Sequence, residues 1–243
     1  MTFLIGILFF CVSSLAGEEG YLQPVLRDWS SPVSQAPGRQ VLGVGSALTL
    51  TFFFIKRAHG DHVQLQANRD KPLADTSGTG AVIGYAVPNL LYTGWWYVQN
   101  QRTANRFYKK RALLMVKATG YAALTTSVLK YTIRQYRPAG GENDSFPSGH
   151  ATSAFAFASV IGAVHGWTWG VPSYLLASFI AYGRLNDNRH FTHDVLAGAT
   201  IGTAYGLSLY KLQEEKSESD SVFMLHPMIE SKGLGFSFAR SFH

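Results

Sequence analysis

Six residues able to handle a phosphoryl group fall in three short clusters: Lys130 with Arg137-Pro138, then Pro147-Ser148-Gly149-His150, then Arg184 with His190 and Asp194. They supply three cations, two imidazoles, a carboxylate and a Ser-Gly turn. Phosphoryl transfer spreads negative charge over the equatorial oxygens, so fixed cations aimed there do most of the catalysis. Arg137 and Arg184 present planar forks that match phosphate oxygens in pairs, whereas Lys130 contributes a compact point charge.

The remaining groups have complementary jobs. Ser148-Gly149-His150 runs straight into the apolar segment 151–164, which places it at a helix N-terminus, where free N–H groups and the helix dipole favour an anion. Gly149 lets the backbone approach phosphate closely. Asp194 follows His190 by four positions; at the start of the next helix its carboxylate can accept the Nδ1 proton and present Nε2 as nucleophile. His150 is then the acid that protonates the leaving oxygen and later activates water. His193 is expected behind the site or at its rim. The pair His193-Asp194 also suits a metal-dependent phosphohydrolase, but His59, His62, His165 and His226 sit in segments with no supporting pattern.

The order and spacing of these clusters resemble the type 2 phosphatidic acid phosphatase and vanadium haloperoxidase superfamily, over roughly residues 112–212. Taken singly, each cluster has an ordinary structural reading: a helix-flanking charge pair, a turn with a cap, a satisfied polar residue. Their joint occurrence favours the site. The resemblance implies that His190 forms a phospho-histidine, that Asp194 orients it and that His150 is the acid, with Lys130, Arg137, Ser148, Gly149 and Arg184 holding phosphate and no metal or other cofactor. Gly183 departs from the pattern, which has Ser before the third-cluster Arg. The other readings are a metal-dependent His-Asp phosphohydrolase, a vanadium haloperoxidase and a non-catalytic protein that binds phosphate or a lipid headgroup. The last leaves His150, His190 and Asp194 without work.

Composition narrows the surroundings. Hydrophobic residues make up 47% of the 243 and charged residues 15%, with a net charge of +6. Mean hydropathy is only +0.03 and the pI is 9.4, which places the chain between membrane-embedded and membrane-associated. Basic charge suits anionic lipid surfaces or phosphorylated substrates. Nucleic acid is the weaker reading and no such partner is expected, because the basic residues follow no helix face and do not alternate with aromatics. Short apolar helices would hold the pocket near the lipid headgroup plane, so the expected substrate is a phosphomonoester or pyrophosphate of a lipid at a membrane: phosphatidate, phosphatidylglycerophosphate, undecaprenyl pyrophosphate or lipid A.

The organisation that must position the site is all-α, a bundle of about six helices with the clusters at one end. Residues 1–16 read as a signal peptide or N-terminal apolar segment, with Ser14-Leu15-Ala16 resembling a cleavage site. Residues 17–39 are a polar, Pro-containing stretch, 40–212 the helical domain with its motif core at 112–212, and 213–243 a polar linker and β-like tail in which a small hairpin is expected. The helical domain holds apolar segments at 41–55, 81–98, 112–129, 151–164, 171–182 and 195–212. Arg102, Arg106, Lys109, Lys110 and Arg111 precede the third, and the positive-inside rule puts them in the cytoplasm. The catalytic end then faces outward, toward the periplasm at a bacterial inner membrane. Six spans conflict with a cleaved leader; either the first run is retained, or 41–55 does not fully span, or the protein is exported and rests on the membrane.

Overall fold

The computed structural model describes residues 22–73, 84, 86–219, 222–230 and 233–241. Eight helices are formed among them: α1 (Leu22–Ser34), α2 (Ala36–His59), α3 (His62–Asp70), α4 (Val87–Thr103), α5 (Arg106–Ile133), α6 (Gly149–His165), α7 (Trp167–Asn186) and α8 (Thr192–Ser219). The expected all-α architecture holds. The leader expected at 1–16 and the start of the 81–98 segment lie outside the described residues.

The bundle is built on α8, which packs against α6, α2 and α5. Small residues make these approaches possible. A Cβ at Gly198 would run into the carbonyl of Ser148, and one at Gly202 into that of Thr152, so α8 lies directly on the α6 backbone from its first turns onward. Thr200 and Ser208 on another face of α8 meet Gly45 and Gly38 of α2 in the same way. The interior is correspondingly alanine-rich, with Ala118, Ala122, Ala151, Ala156, Ala158 and Ala204 fully buried.

Polar pairs fill the remaining interior. Lys117 of α5 meets the buried Asp28 of α1 at 2.6 Å, Asn89 Nδ2 donates to Thr119 Oγ1 at 2.7 Å, and the hydroxyls of Thr126 and Thr152 lie 3.0 Å apart. Each satisfies a group that would otherwise be stranded in an apolar setting.

Three elements depart from the expected organisation. Residues 22–34, within the polar stretch, form α1, whose inward face is polar (Asp28, Ser31) while Leu26, Trp29 and Val33 point outward. The short α3 is capped by Asp61, which accepts the Gln64 N–H at 3.1 Å. Finally, α8 does not stop at 212 but runs on through Ser219; Glu215 accepts from Gln35 and Ser217 from Lys110, contacts that hold the acidic run against α1–α2 and α5. Beyond it, Val222–Glu230 (β1) and Gly233–Ser241 (β2) pair antiparallel, Val222 opposite Ser241, as the expected hairpin.

Among the described residues, α2 and α5 are long and apolar enough to cross a membrane. They differ in surroundings: 44% of the α5 window is buried in the bundle but only 6% of the α2 window. Val44, Leu48, Phe54 and Ile55 of α2 face outward. Twenty-four residues rise about 36 Å at 1.5 Å each, enough for a hydrocarbon core of about 30 Å.

Candidate active site

Alternating helix direction brings all three clusters to one end. Lys130 lies in the last turn of α5, His150 in the first turn of α6, Arg184 in the last turn of α7 and Asp194 in the first turn of α8. The basic corner between α4 and α5, Arg102 to Arg111, is at the far end of α5.

Asp194 organises this end. It is fully buried, and its Oδ2 accepts the Ser145 hydroxyl at 2.5 Å and the Phe191 N–H at 2.9 Å. His190 turns Nδ1 toward the same oxygen at 3.7 Å, an ion-pair distance that is too long for a hydrogen bond. The backbone carbonyl of Asp194 accepts the Ser148 N–H at 2.9 Å, which ties the second cluster to the third. His190 is buried, and its main chain is fixed by N–H donation to the Arg184 carbonyl at 3.3 Å. Asn188, with φ of +57°, reverses the chain between Arg184 and His190.

Loop acceptors hold the cations, Asp144 serving both Lys130 and Arg137. Lys130 donates to the carbonyl of Asp144. Arg137 meets Glu142 Oε2 at 2.6 Å and Asp144 Oδ1 at 2.9 Å, and Arg184 pairs with Asp187. Lys130 and Arg184 are buried, so their charges act with little screening by water. Ser148 is the N-cap of α6, as expected, but its side chain makes no cap bond; Oγ is buried with no hydrogen-bond partner among the described residues. A Cβ at Gly149 would point into open space, so this glycine is not needed for packing. His150 is half-buried.

Burial lowers the His190 pKa below its usual 6.5, opposed by Asp194 and reinforced by Lys130 and Arg137. Burial alone would raise Asp194, but the adjoining His190 and His193 and the Ser145 hydroxyl outweigh it and leave the carboxyl below its usual range. The pair therefore rests as neutral imidazole and carboxylate, the state in which Nδ1–H can point at the acid and Nε2 keeps a lone pair.

Several contributors were not singled out from the sequence. Asp144 and Ser145 lie in the loop between the first two clusters and Gln135 inside the first, where nothing in their spacing marks them. His193, expected behind the site or at its rim, is wholly buried, with Nε2 3.0 Å from Asp194 Oδ1. No group of three or more His, Cys, Asp or Glu residues with metal-binding geometry occurs among the described residues. His165 lies away from the site, 3.0 Å from the Tyr92 hydroxyl.

Residues 111–218 match the model of the PAP2 superfamily, which bears out the recognition made from the three clusters. A stretch of 81 residues is 40% identical to the lipid A 1-phosphatase of Porphyromonas gingivalis, covering 32% of this chain and 18% of that relative's length. The crystal structure of a transmembrane PAP2 type phosphatidylglycerolphosphate phosphatase from Bacillus subtilis is 19% identical, covering 78% of this chain and 94% of that one, with a TM-score of 0.41.

Proposed function

We propose that this protein is a metal-independent lipid phosphatase that works through a phospho-histidine on His190, at the end of the bundle facing away from the cytoplasm. The observation that carries the reading is the buried His190–Asp194 pair, its Nδ1 toward the carboxylate, at the helix end that also holds Lys130, Arg137 and Arg184. Those side chains supply positive charge for the phosphoryl oxygens, assisted by the N-terminus of α6. His190 Nε2 attacks phosphorus, the bond to the ester oxygen breaks, and His150 gives that oxygen its proton. Water then attacks the phospho-histidine, losing a proton to His150 as the phosphorus–nitrogen bond breaks and inorganic phosphate leaves. Asp194 stabilises the positive imidazole that the first step creates.

A membrane substrate is supported by the outward-facing apolar side of α2 and by exposed aromatics toward both ends of the bundle, Trp167 and Trp169 at one and Tyr131 and Tyr136 at the other. Likeness to a lipid A 1-phosphatase puts a lipid A phosphate first among the substrates to test, followed by phosphatidylglycerophosphate, phosphatidate and undecaprenyl pyrophosphate. The deciding experiment is phosphate release from this panel by purified protein in EDTA, with acid-quench trapping of the phosphoenzyme. Turnover that requires a divalent cation would favour the His-Asp metal enzyme, halide oxidation dependent on vanadate a haloperoxidase, and binding without turnover a headgroup-binding protein.

A further inference from the structure

We propose that His193 and Gln135 are positioning residues that lock the Asp194 carboxylate in the orientation His190 needs. The proposal rests on the reading above, in which Asp194 orients His190, and extends it to two side chains which that chemistry does not use.

The two oxygens of Asp194 have separate partners. Oδ2 faces His190 and is held by Ser145 and the Phe191 N–H. Oδ1 accepts from Gln135 Nε2 at 3.2 Å and lies 3.0 Å from His193 Nε2. Gln135 closes a ring, its Oε1 being 3.1 Å from the same His193 nitrogen. Because the Gln135 amide N–H is spent on the carboxylate, its carbonyl must accept, so Nε2 of His193 carries the hydrogen. That hydrogen goes to Gln135 Oε1 and fixes the amide so that its Nε2 holds Oδ1, which opposes rotation of the carboxylate about its Cβ–Cγ bond, a rotation that would take Oδ2 away from His190.

His193 is seated for this task. Its ring stacks with Phe146 and with Phe191, centroids 5.9 and 5.7 Å away, and Phe53 of α2 meets it edge-on at 5.4 Å. Nδ1 is buried with no hydrogen-bond partner among the described residues. The groups facing it are Asp194 on its own helix, Gln135 from the loop after α5, Lys56 of α2 and Asp61 in the following turn, and burial, the largest influence, lowers its pKa below 6.5. It therefore serves as a fixed N–H donor on a rigid ring. A residue that only filled space here would need no nitrogen on the Oδ1 side.

The test compares His193→Phe, which fills the aromatic box without a donor, with His193→Gln, which returns an N–H, alongside Gln135→Leu, the double variant His193→Phe/Gln135→Leu, and Asp194→Asn as reference. Turnover of a lipid phosphate, the rate of phosphoenzyme formation and Tm are read for each. His193→Phe is expected to lower kcat on the order of tenfold to a hundredfold, with KM changed less than about twofold and phosphoenzyme formation slowed in step. His193→Gln should recover most of the rate, and the double variant should be no worse than the poorer single one, because both act through Asp194. Wild-type kcat in His193→Phe beside a dead Asp194→Asn overturns the proposal and leaves the reading of Asp194 standing. Equal damage in His193→Phe and His193→Gln, tracking a fall in Tm, also overturns it, in favour of packing alone. Full activity of Asp194→Asn overturns the underlying reading itself.

Discussion

Asp61 and Thr192 meet across 131 residues of sequence: Asp61 Oδ2 accepts the Thr192 backbone N–H and Oδ1 the Thr192 hydroxyl, both at 2.7 Å. One carboxylate, two residues past the end of α2, thus caps α3 through the Gln64 N–H and anchors the first residue of α8. Gln64 extends the joint by donating to Asn188 in the loop that carries His190. The outward-facing apolar helix and the candidate nucleophile are in this way parts of one mechanical unit.

Asp61→Ala is expected to cost about 1–3 kcal/mol, because it leaves buried donors unsatisfied as well as removing a cap. Turnover should fall along with Tm, since the freed segment carries His190 and Asp194. Asp61→Asn keeps one acceptor and should lie between alanine and wild type. Thermal unfolding in detergent alongside phosphate release measures both effects, and a wild-type Tm in Asp61→Ala would show that the joint carries no load.

His190→Ala should abolish turnover while binding of a phosphate analogue survives, because Lys130, Arg137 and Arg184 remain. Acid-quench trapping should detect a phosphoenzyme in wild type and none in the variant. Normal turnover in His190→Ala with a dead His193→Ala would move the nucleophile to the other ring.

Arg137→Lys and Arg184→Lys keep the charge but lose the planar fork. Loss of a transition-state contact of this kind costs ~2.7–4 kcal/mol, on the order of a hundredfold or more in kcat. Both arginines are tethered by neighbouring acids, Arg137 by Glu142 and Asp144 and Arg184 by Asp187, which fixes their direction; a shorter, non-planar lysine cannot reproduce it. Wild-type rates in both variants would place these arginines outside the reaction.

How far the sequence revealed this arrangement depended on distance along the chain. The clusters were legible because each sits at a helix terminus, where Ser148 before an apolar run or Arg184 closing one leaves a local mark. The link between Asp61 and Thr192 leaves none, because neither residue has an unusual neighbour and only the packing of α2 on α8 brings them together. Gln135 and Ser145 were hidden for the same reason. α1 was missed because its polarity is inverted, with Asp28 inward and Trp29 outward, so its polar count suggested an irregular stretch. The end of α8 was misjudged from the charge of its last turns, which contacts to Gln35 and Lys110 keep helical.

The His190 pKa sets the acid limb of activity. The nucleophile must be neutral, and burial holds its pKa below 6.5, so kcat/KM is expected to persist below pH 6.5 and to fall only as pH passes down through the lowered value. Stability follows the same sign: the unfolded chain takes up the proton first, so the contribution from His190 is present above pH 6.5 and is lost on acidification. A kcat/KM profile with a substrate whose own ionisation is known tests this. An acid limb above pH 6.5 would mean that His190 is stabilised as a cation in the free enzyme.

Orientation is the last expectation, and it follows from α5. Arg106 and Lys130 stand near opposite ends of this helix, 28 residues or about 42 Å long, so the basic corner and the site fall on opposite faces of any membrane it crosses. The positive-inside rule then puts the site outside. A cysteine at Asn143, exposed in the loop between the first two clusters, should react with a membrane-impermeant maleimide in spheroplasts, and one at Thr103, exposed at the end of α4, only after lysis; Cys11 is removed from the background. Labelling of both in intact spheroplasts would indicate an exported protein resting on the surface. Labelling of Thr103→Cys alone would invert the orientation and place His190 on the cytoplasmic side.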